Sequence, residues 1–145
     1  MSHTPDAAAL IELLGLEPHP EGGWYAETWR DEASTAIWFL LESGERSHWH
    51  RVHGGVEIWH FSLGDPLELA ISDDGVGVRR DVLGTDVAAG ERPQLIVPAS
   101  AWQAATPLPG GAAGFSLVGC TVAPPFRFES FELAPPGWAP GDEED

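Results

Sequence analysis

Eight short runs rich in aromatic and β-branched residues follow one another between residues 24 and 133, separated by glycine, proline or acidic residues. They are WYAETWR, TAIWFLL, VEIWHFSL, LELAIS, VGVRRDVL, QLIVP, GFSLVGCTV and FRFESFEL. Short runs bounded by turn residues are typical of strands, and a spacing of roughly 8 to 15 residues is typical of antiparallel β-proteins. The chain is therefore predicted to fold as an antiparallel sandwich or barrel.

One helix is predicted before the strands. The segment TPDAAALIELLG offers Thr4 as the N-cap, Pro5 as the first helical residue and Gly15 as the stop. The helix and the proline- and glycine-rich lead-in occupy residues 1–22, the barrel occupies 23–133, and residues 134–145 are predicted to be a disordered acidic tail with Trp138 as a last anchor. A chain of 145 residues suits one domain with a single core.

The charge of the chain excludes some classes of partner. Its formal net charge is −16, from 23 acidic and 7 basic residues, so its surface repels nucleic acid and anionic lipid. The sequence shows neither a membrane-spanning run nor a signal peptide at its start, and a cytoplasmic location is expected. The single cysteine, Cys120, lies in an apolar run and is predicted to be a buried small side chain.

The stretch SHWHRVHGGVEIWHFSLG, residues 47–64, holds four of the six histidines. Strand alternation would place His48 and His50 on one face and Trp49 on the other. After the turn at residues 54–55, Glu57 begins the next strand and can face the two imidazoles. Two histidines and a carboxylate on neighbouring strands suit a divalent metal, with other positions open to water or substrate.

The same stretch resembles a known sequence motif. Gly44, His48, His50, Glu57 and Gly64 resemble the first cupin motif, and GERPQLIVPASAWQAA resembles the second. In the second motif Gln103 stands where the last histidine ligand is expected. With LEPHPEGGWYAETWR and LVGCTVAPPFRFESFEL, these segments are similar to the cupin 5 family, whose function is unknown. The resemblance implies an all-β double-stranded β-helix, the cupin jelly-roll barrel, with a short N-terminal helix.

Two kinds of site follow from these residues and the resemblance. In the first, His48, His50, Glu57 and Gln103 bind one divalent metal ion, which would be iron, manganese, nickel or zinc. The amide of Gln103 is a weaker ligand than imidazole, so the second kind is a pocket without metal. There Glu57 would raise the pKa of His50, and the two residues would act as catalytic acid and base, as in metal-free epimerases of similar fold.

Other side chains are predicted to contact a ligand in the same pocket. Trp59 and Trp102 adjoin the motif residues and could stack on a flat molecule, and Gln103 could bind it. Glu27 is predicted to face the pocket because Tyr25, Glu27 and Trp29 share one face of a strand.

The predicted function is binding of a small molecule in the barrel. The protein would be an isomerase-like, epimerase-like or metal-dependent enzyme, or else a module that binds or senses a ligand without altering it. A purely structural homodimer is a third reading. The scarcity of basic residues favours a neutral or modestly charged ligand. A homodimer is expected in any case, because open sheets must cover their edges.

Overall fold

Two antiparallel sheets make up most of the protein. The computed structural model describes residues 5–142, which form one α-helix and eleven strands. The elements are α1 (Ala7–Leu14), β1 (Glu17–Pro18), β2 (Trp24–Arg30), β3 (Thr35–Glu42), β4 (Ser47–Val52), β5 (Val56–Gly64), β6 (Leu67–Ser72), β7 (Arg79–Leu83), β8 (Gln94–Val97), β9 (Trp102–Pro107), β10 (Phe115–Ala123) and β11 (Phe131–Leu133). The prediction of an all-β jelly-roll barrel with a short N-terminal helix is confirmed.

The sheets pair strands that are far apart in the sequence. The six-stranded sheet has the order β1-β2-β3-β10-β5-β8, and the five-stranded sheet has the order β11-β4-β9-β6-β7. Every pairing between these strands is antiparallel. Apolar side chains of both sheets meet in a core that includes Phe39, Trp59, Leu69, Val118 and Cys120. Cys120 is buried, as predicted.

The helix packs on the outside of the six-stranded sheet. It begins at Ala7 rather than at Pro5, because the Asp6 carboxylate accepts a 2.8 Å hydrogen bond from the Ala9 amide and acts as the N-cap. Thr4, the predicted cap, lies outside the described residues. Gly15 ends the helix in the left-handed conformation, with φ of 66°, as predicted. Leu10 anchors the helix in an apolar cluster with Leu40.

Several strands differ in extent from the predicted runs. The strand predicted in VGVRRDVL begins only at Arg79, because Asp74 accepts hydrogen bonds from the amides of Val76 and Gly77 and forms a turn there. In FRFESFEL, a 3-10 turn over Phe128–Ser130 leaves only the last three residues in a strand. Strand β9 was absent from the predicted runs, since its alanines carry little strand signal.

The C-terminal segment packs on the barrel as far as Asp142. The ring of Trp138 lies 4.7 Å from that of Trp102 and 6.5 Å from that of Trp49, measured between centroids. The Gly141 amide donates a 2.8 Å hydrogen bond to the Gly75 carbonyl. The predicted anchor Trp138 therefore holds a segment predicted to be disordered, and only residues 143–145 of that tail lie outside the description. Among residues 5–142, no helix has the length and apolar character needed to cross a membrane.

Candidate functional site

A cavity of about 170 Å³ opens between the two sheets at one end of the barrel. One water needs only about 15 Å³ of such space, so the cavity has room for a small organic molecule. Its buried floor consists of His19, Glu21, His50, Glu57 and Cys120. Nearer the opening, the cavity has an aromatic wall and three charged side chains at its mouth: Phe126, Phe128 and Phe131 form the wall, and Glu17, Glu27 and Arg30 are the charged residues.

A bulge in β4 decides which histidine faces the cavity. Ser47 pairs with Ala105 and His50 pairs with Gln103, so three steps along β4 match two along β9. The extra residue breaks the alternation of side chains. His50 faces the cavity and is 2% exposed, whereas the His48 ring is hydrogen-bonded to the Pro135 carbonyl at 3.0 Å, outside the cavity. The predicted pairing of two histidines on one face is therefore corrected.

The carboxylate partner of His50 is Glu21, not Glu57. His50 Nε2 lies 2.8 Å from Glu21 Oε2, and His50 Nδ1 lies 2.7 Å from the His48 carbonyl oxygen. Both neighbours of the ring are acceptors, so both ring nitrogens donate and His50 is an imidazolium. The Ser47 hydroxyl donates a short hydrogen bond to the same Glu21 oxygen. The floor of the cavity thus contains a buried, hydrogen-bonded ion pair.

The pair sets the protonation of the floor. Burial would lower the pKa of His50, but the charge and hydrogen bond of Glu21, with the nearby Glu57, raise it to about 8. Burial would raise the pKa of Glu21, but His50, His19 and Ser47 lower it. Burial lowers the pKa of His19, the second histidine of the floor. At neutral pH, Glu21 is ionised, His50 is charged and His19 is neutral.

Glu57 lies at the end of a chain of buried hydrogen bonds. Gln103 Nε2 donates to Glu57 Oε1 at 2.7 Å, and Trp59 Nε1 donates to Gln103 Oε1 at 2.8 Å. The nearby Cys120 thiol lowers the pKa of Glu57 slightly. Burial raises the pKa of Glu57 to about 7, against the lowering effects of His50 and Gln103. Glu57 is therefore a carboxyl that exchanges a proton near neutral pH.

A second bulge rearranges the mouth of the cavity. Glu27 pairs with Ile37 while Trp29 pairs with Ala36, so the alternation along β2 changes between them. Glu27 lines the cavity, and Arg30 joins it there with a 2.7 Å ion pair. Trp29, predicted to share the face of Glu27, is instead 56% exposed.

The other predicted ligand contacts do not reach the cavity. Trp59 is fully buried in the core beneath Glu57 and is edge-on to Phe39. Trp102 points to the opposite face of β9 from Gln103, where it packs on Trp138 and under the Arg51 guanidinium. Gln103 is 1% exposed and touches Glu57 rather than the open space. These three side chains support the site from behind.

Glu21, His19 and Ser47 are functional candidates that the sequence reasoning missed. Glu21 lies in the lead-in PHPEGG, far in sequence from the histidine stretch, but its carbonyl accepts a 2.7 Å hydrogen bond from the His48 amide. Gly22 has φ of 108°, and a Cβ there would collide with the Arg46 carbonyl. Gly22 was therefore the one sequence feature that indicated a close approach of the lead-in to β4.

The residues predicted to bind a metal do not fit one. A metal ligand needs a free lone pair, and both ring nitrogens of His50 donate to acceptors. Gln103 does not line the cavity, its Oε1 faces Trp59, and His48 lies outside the cavity. Within residues 5–142, no cluster of three or more histidine, cysteine, aspartate or glutamate side chains is arranged to hold a metal ion.

This donor set predicts the metal content of the protein. We expect protein purified without an affinity tag to contain much less than one transition metal per chain, and its Tm to be unchanged by EDTA. Elemental analysis and thermal unfolding measure the two quantities. His48→Ala is the control variant, and we expect it to change neither the metal content nor the insensitivity of Tm to EDTA. A stoichiometric metal that is lost in His50→Ala would contradict the expectation.

The fold and the site define a small jelly-roll barrel with a polar cavity between its sheets, the architecture of a cupin. The chain matches the family described as Cupin superfamily (DUF985) over residues 8–134, and it belongs to that family.

Solved structures agree with this assignment. A hypothetical protein from Leishmania major is 34% identical, with a TM-score of 0.83, over 90% of this chain and 88% of that one. A protein from Shewanella oneidensis is 38% identical, with a TM-score of 0.83, over 90% and 85% of the two chains. Oxalate decarboxylase from Bacillus subtilis, 14% identical with a TM-score of 0.62 over 81% and 29%, shares the fold. No curated protein matches the chain.

Proposed function

We propose that this cupin binds a small organic molecule in the barrel cavity and moves a proton on it without a metal, as an isomerase or epimerase does. Glu57 is the proton-transfer group in this proposal. The ion pair of Glu21 and His50 fixes the electrostatics around it. The fold alone supports no such activity, since cupin barrels host many functions.

The observation that carries the proposal is the state of Glu57. Its carboxyl is buried and lines the cavity, and burial raises its pKa to about 7. A group with a pKa near the working pH is efficient in both directions of proton transfer, because both protonation states are well populated. Gln103 holds one oxygen of the carboxyl in place through a 2.7 Å hydrogen bond.

The proposed chemistry balances without a co-reactant. The Glu57 carboxylate takes a proton from a carbon next to a carbonyl group, and the electron pair of the C–H bond moves into an enolate. The protonated Glu57 then returns the proton to another position or to the opposite face of the molecule. The positive charge of His50 stands close enough to raise the fraction of ionised Glu57 and to favour the negative charge of the enolate.

A module that binds a ligand without altering it is the second candidate. One observation favours it: both ring nitrogens of His50 are committed to protein oxygens, so this histidine has no free position for exchanging a proton with a ligand. In that case Glu57 would only donate or accept a hydrogen bond.

A hydrogen-exchange experiment tests the proposed activity. Small carbonyl compounds, including amino ketones and hydroxy ketones, are incubated with the protein in D₂O, and proton NMR follows loss of the signal at the carbon next to the carbonyl. We expect Glu57→Gln to slow this exchange by about 10²- to 10⁴-fold, the usual contribution of a general acid or base.

The controls separate activity from binding. Glu12→Gln changes an exposed carboxylate on α1 and should exchange hydrogen at the wild-type rate. Exchange that is equally fast in Glu57→Gln would refute the assignment of Glu57. Compounds that bind in the cavity but never exchange hydrogen with wild-type protein would favour the binding module.

A further inference from the structure

We infer that the ligand of the cavity is a small organic cation, in which an ammonium group is attached to an apolar or planar body. This inference rests on the proposed function of the cavity as a small-molecule site. It names a class of ligand, and it would exclude phosphates and simple carboxylates.

The first support is the balance of charges in the lining. Four glutamates line the cavity: Glu17, Glu21, Glu27 and Glu57. The arginine at the mouth is already committed, because Arg30 pairs with Glu27 at 2.7 Å. The positive charge on the floor is likewise committed, because His50 pairs with Glu21. No described side chain of the lining therefore offers an uncompensated positive charge to an anionic ligand.

The phenol of Tyr25, near the mouth, is exposed to the same negative charges. It pairs with Glu17 across strands β1 and β2 and lines the cavity. Burial, followed by the charges of Glu17 and Glu27, raises the pKa of its phenol. An entering anion would meet this field before it reached the floor, whereas an entering cation would be attracted.

The second support is the aromatic wall, which is independent of the carboxylates. Phe126, Phe128 and Phe131 line the cavity and pack against one another with ring centroids 5.1 to 6.2 Å apart. Phe128 is nevertheless 54% exposed, although it belongs to a formed cluster. Aromatic faces attract cations through their quadrupole, and ammonium ligands are recognised in cages of such rings.

The third support is an acceptor left open on the floor. Glu57 is 8% exposed, and Gln103 bonds only to its Oε1. Glu57 Oε2 accepts no hydrogen bond from a nitrogen or hydroxyl donor in the described part of the chain, and the nearby Cys120 thiol is only a weak donor. The negative charge of this open carboxylate attracts an ammonium group on the ligand and leaves Oε2 free to exchange a proton.

Three probes of almost equal size test the inference. Benzylamine is a cation at pH 7, benzyl alcohol is neutral and benzoate is an anion. Their dissociation constants are measured from amide shifts in ¹H–¹⁵N spectra of the full chain, with the amides of the floor and the aromatic wall as reporters. We expect benzylamine to bind about tenfold more tightly than benzyl alcohol, as a cation–π contact and carboxylates allow, and benzoate to bind more weakly than both.

Two variants show whether the predicted groups cause the preference. Glu17→Gln should weaken benzylamine several-fold and leave benzyl alcohol unchanged, because it removes only a charge. Phe128→Leu should weaken benzylamine more than benzyl alcohol, because it keeps an apolar side chain but removes the ring. Far-UV circular dichroism of both variants checks that the barrel is intact.

The outcomes distinguish this inference from the proposed function. Preferential binding of benzylamine that depends on Glu17 and Phe128 supports it. Equal or tighter binding of benzoate in the cavity overturns the ligand class and leaves the small-molecule site standing. Absence of shifts at the cavity with all three probes also overturns the inference, and the proposed function then depends on the hydrogen-exchange experiment alone.

Discussion

Glu21→Gln is expected to lower the free energy of unfolding at pH 7 by about 3 to 5 kcal/mol, the usual cost of removing one partner from a buried ion pair. The side chains of Glu21 and His50 are 8% and 3% exposed, so each charge depends mainly on the other for its stabilisation. Without the carboxylate, His50 must either remain charged without a counter-ion or release its proton. Urea unfolding of the full chain measures the loss.

An NMR titration should show the same change at His50 itself. The pKa of His50, about 8 in the wild type, should fall below the ordinary histidine value of 6.5 in Glu21→Gln, because burial is then opposed only by Glu57 and the His48 carbonyl. Glu27→Gln is the matched control. Its ion pair with Arg30 is about half exposed, and exposed pairs contribute only about 0 to 1 kcal/mol.

A double variant isolates the pair from the rest of the floor. Glu21→Gln combined with His50→Gln removes both charges, so part of the stability lost in the single variant should return. Equal stability of wild type and Glu21→Gln, with an unchanged pKa of His50, would contradict the ion pair described here.

Much of the fold could be predicted from the sequence because strands in such a barrel carry a local signal. The turns around β3, β5 and β6 are marked by glycine, proline or acidic residues, and the apolar runs between them have the bounds of the observed strands to within a residue. The resemblance of the histidine stretch to a cupin motif also indicated the right architecture. These signals lie within about ten residues of one another, so they need no knowledge of long-range contacts.

The candidate site was harder to predict because two β-bulges intervene. One extra residue in β4 turns His48 out of the cavity, and one in β2 brings in Arg30 while Trp29 turns to solvent. Because side chains alternate with a period of two, a single inserted residue reverses every assignment beyond it. Nothing local in either strand marks the bulge, since it depends on the pairing with β9 or β3.

Glu21 was missed for a different reason. It belongs to neither strand of the histidine stretch, and only folding of the lead-in onto β4 brings it within 2.8 Å of His50. Glu57 occupies the motif position for a metal ligand, yet its hydrogen bond comes from Gln103. The chain departs from the motif in two ways: Gln103 replaces the last histidine ligand, and His50 is paired with Glu21. Both departures suit a floor without metal, because Gln103 then hydrogen-bonds Glu57 while Glu21 neutralises His50.

The stability of the protein should fall as the pH rises from about 5 to about 8. The pKa of Glu57 is raised from 4.5 to about 7 by folding, so its contribution is fully present below pH 4.5 and is lost as the pH rises through 7. The pKa of His50 is raised from 6.5 to about 8, so its contribution is fully present below pH 6.5 and is lost as the pH rises through 8. Glu21 and His19, whose pKa values are lowered, have the opposite sign: Glu21 acts only in acid, and His19 reduces stability as the pH falls below 6.5.

Glu57→Gln should remove the larger part of this dependence and make the protein more stable at pH 8 by about 3 kcal/mol, the value that follows from a pKa raised from 4.5 to about 7. The glutamine introduced at position 57 can still accept the hydrogen bond from Gln103. Its amide is neutral, like the protonated carboxyl that it replaces. Urea unfolding should show the two proteins separated by no more than about 1 kcal/mol at pH 5 and by about 3 kcal/mol at pH 8. The same variant is expected to lose hydrogen exchange, so the carboxyl would reduce stability at the pH where it becomes an effective base. A buried carboxyl that destabilises the fold near neutral pH is better explained by a role in function than by a role in stability. If Glu57→Gln had the wild-type stability at pH 8, this support for a functional role of Glu57 would be lost.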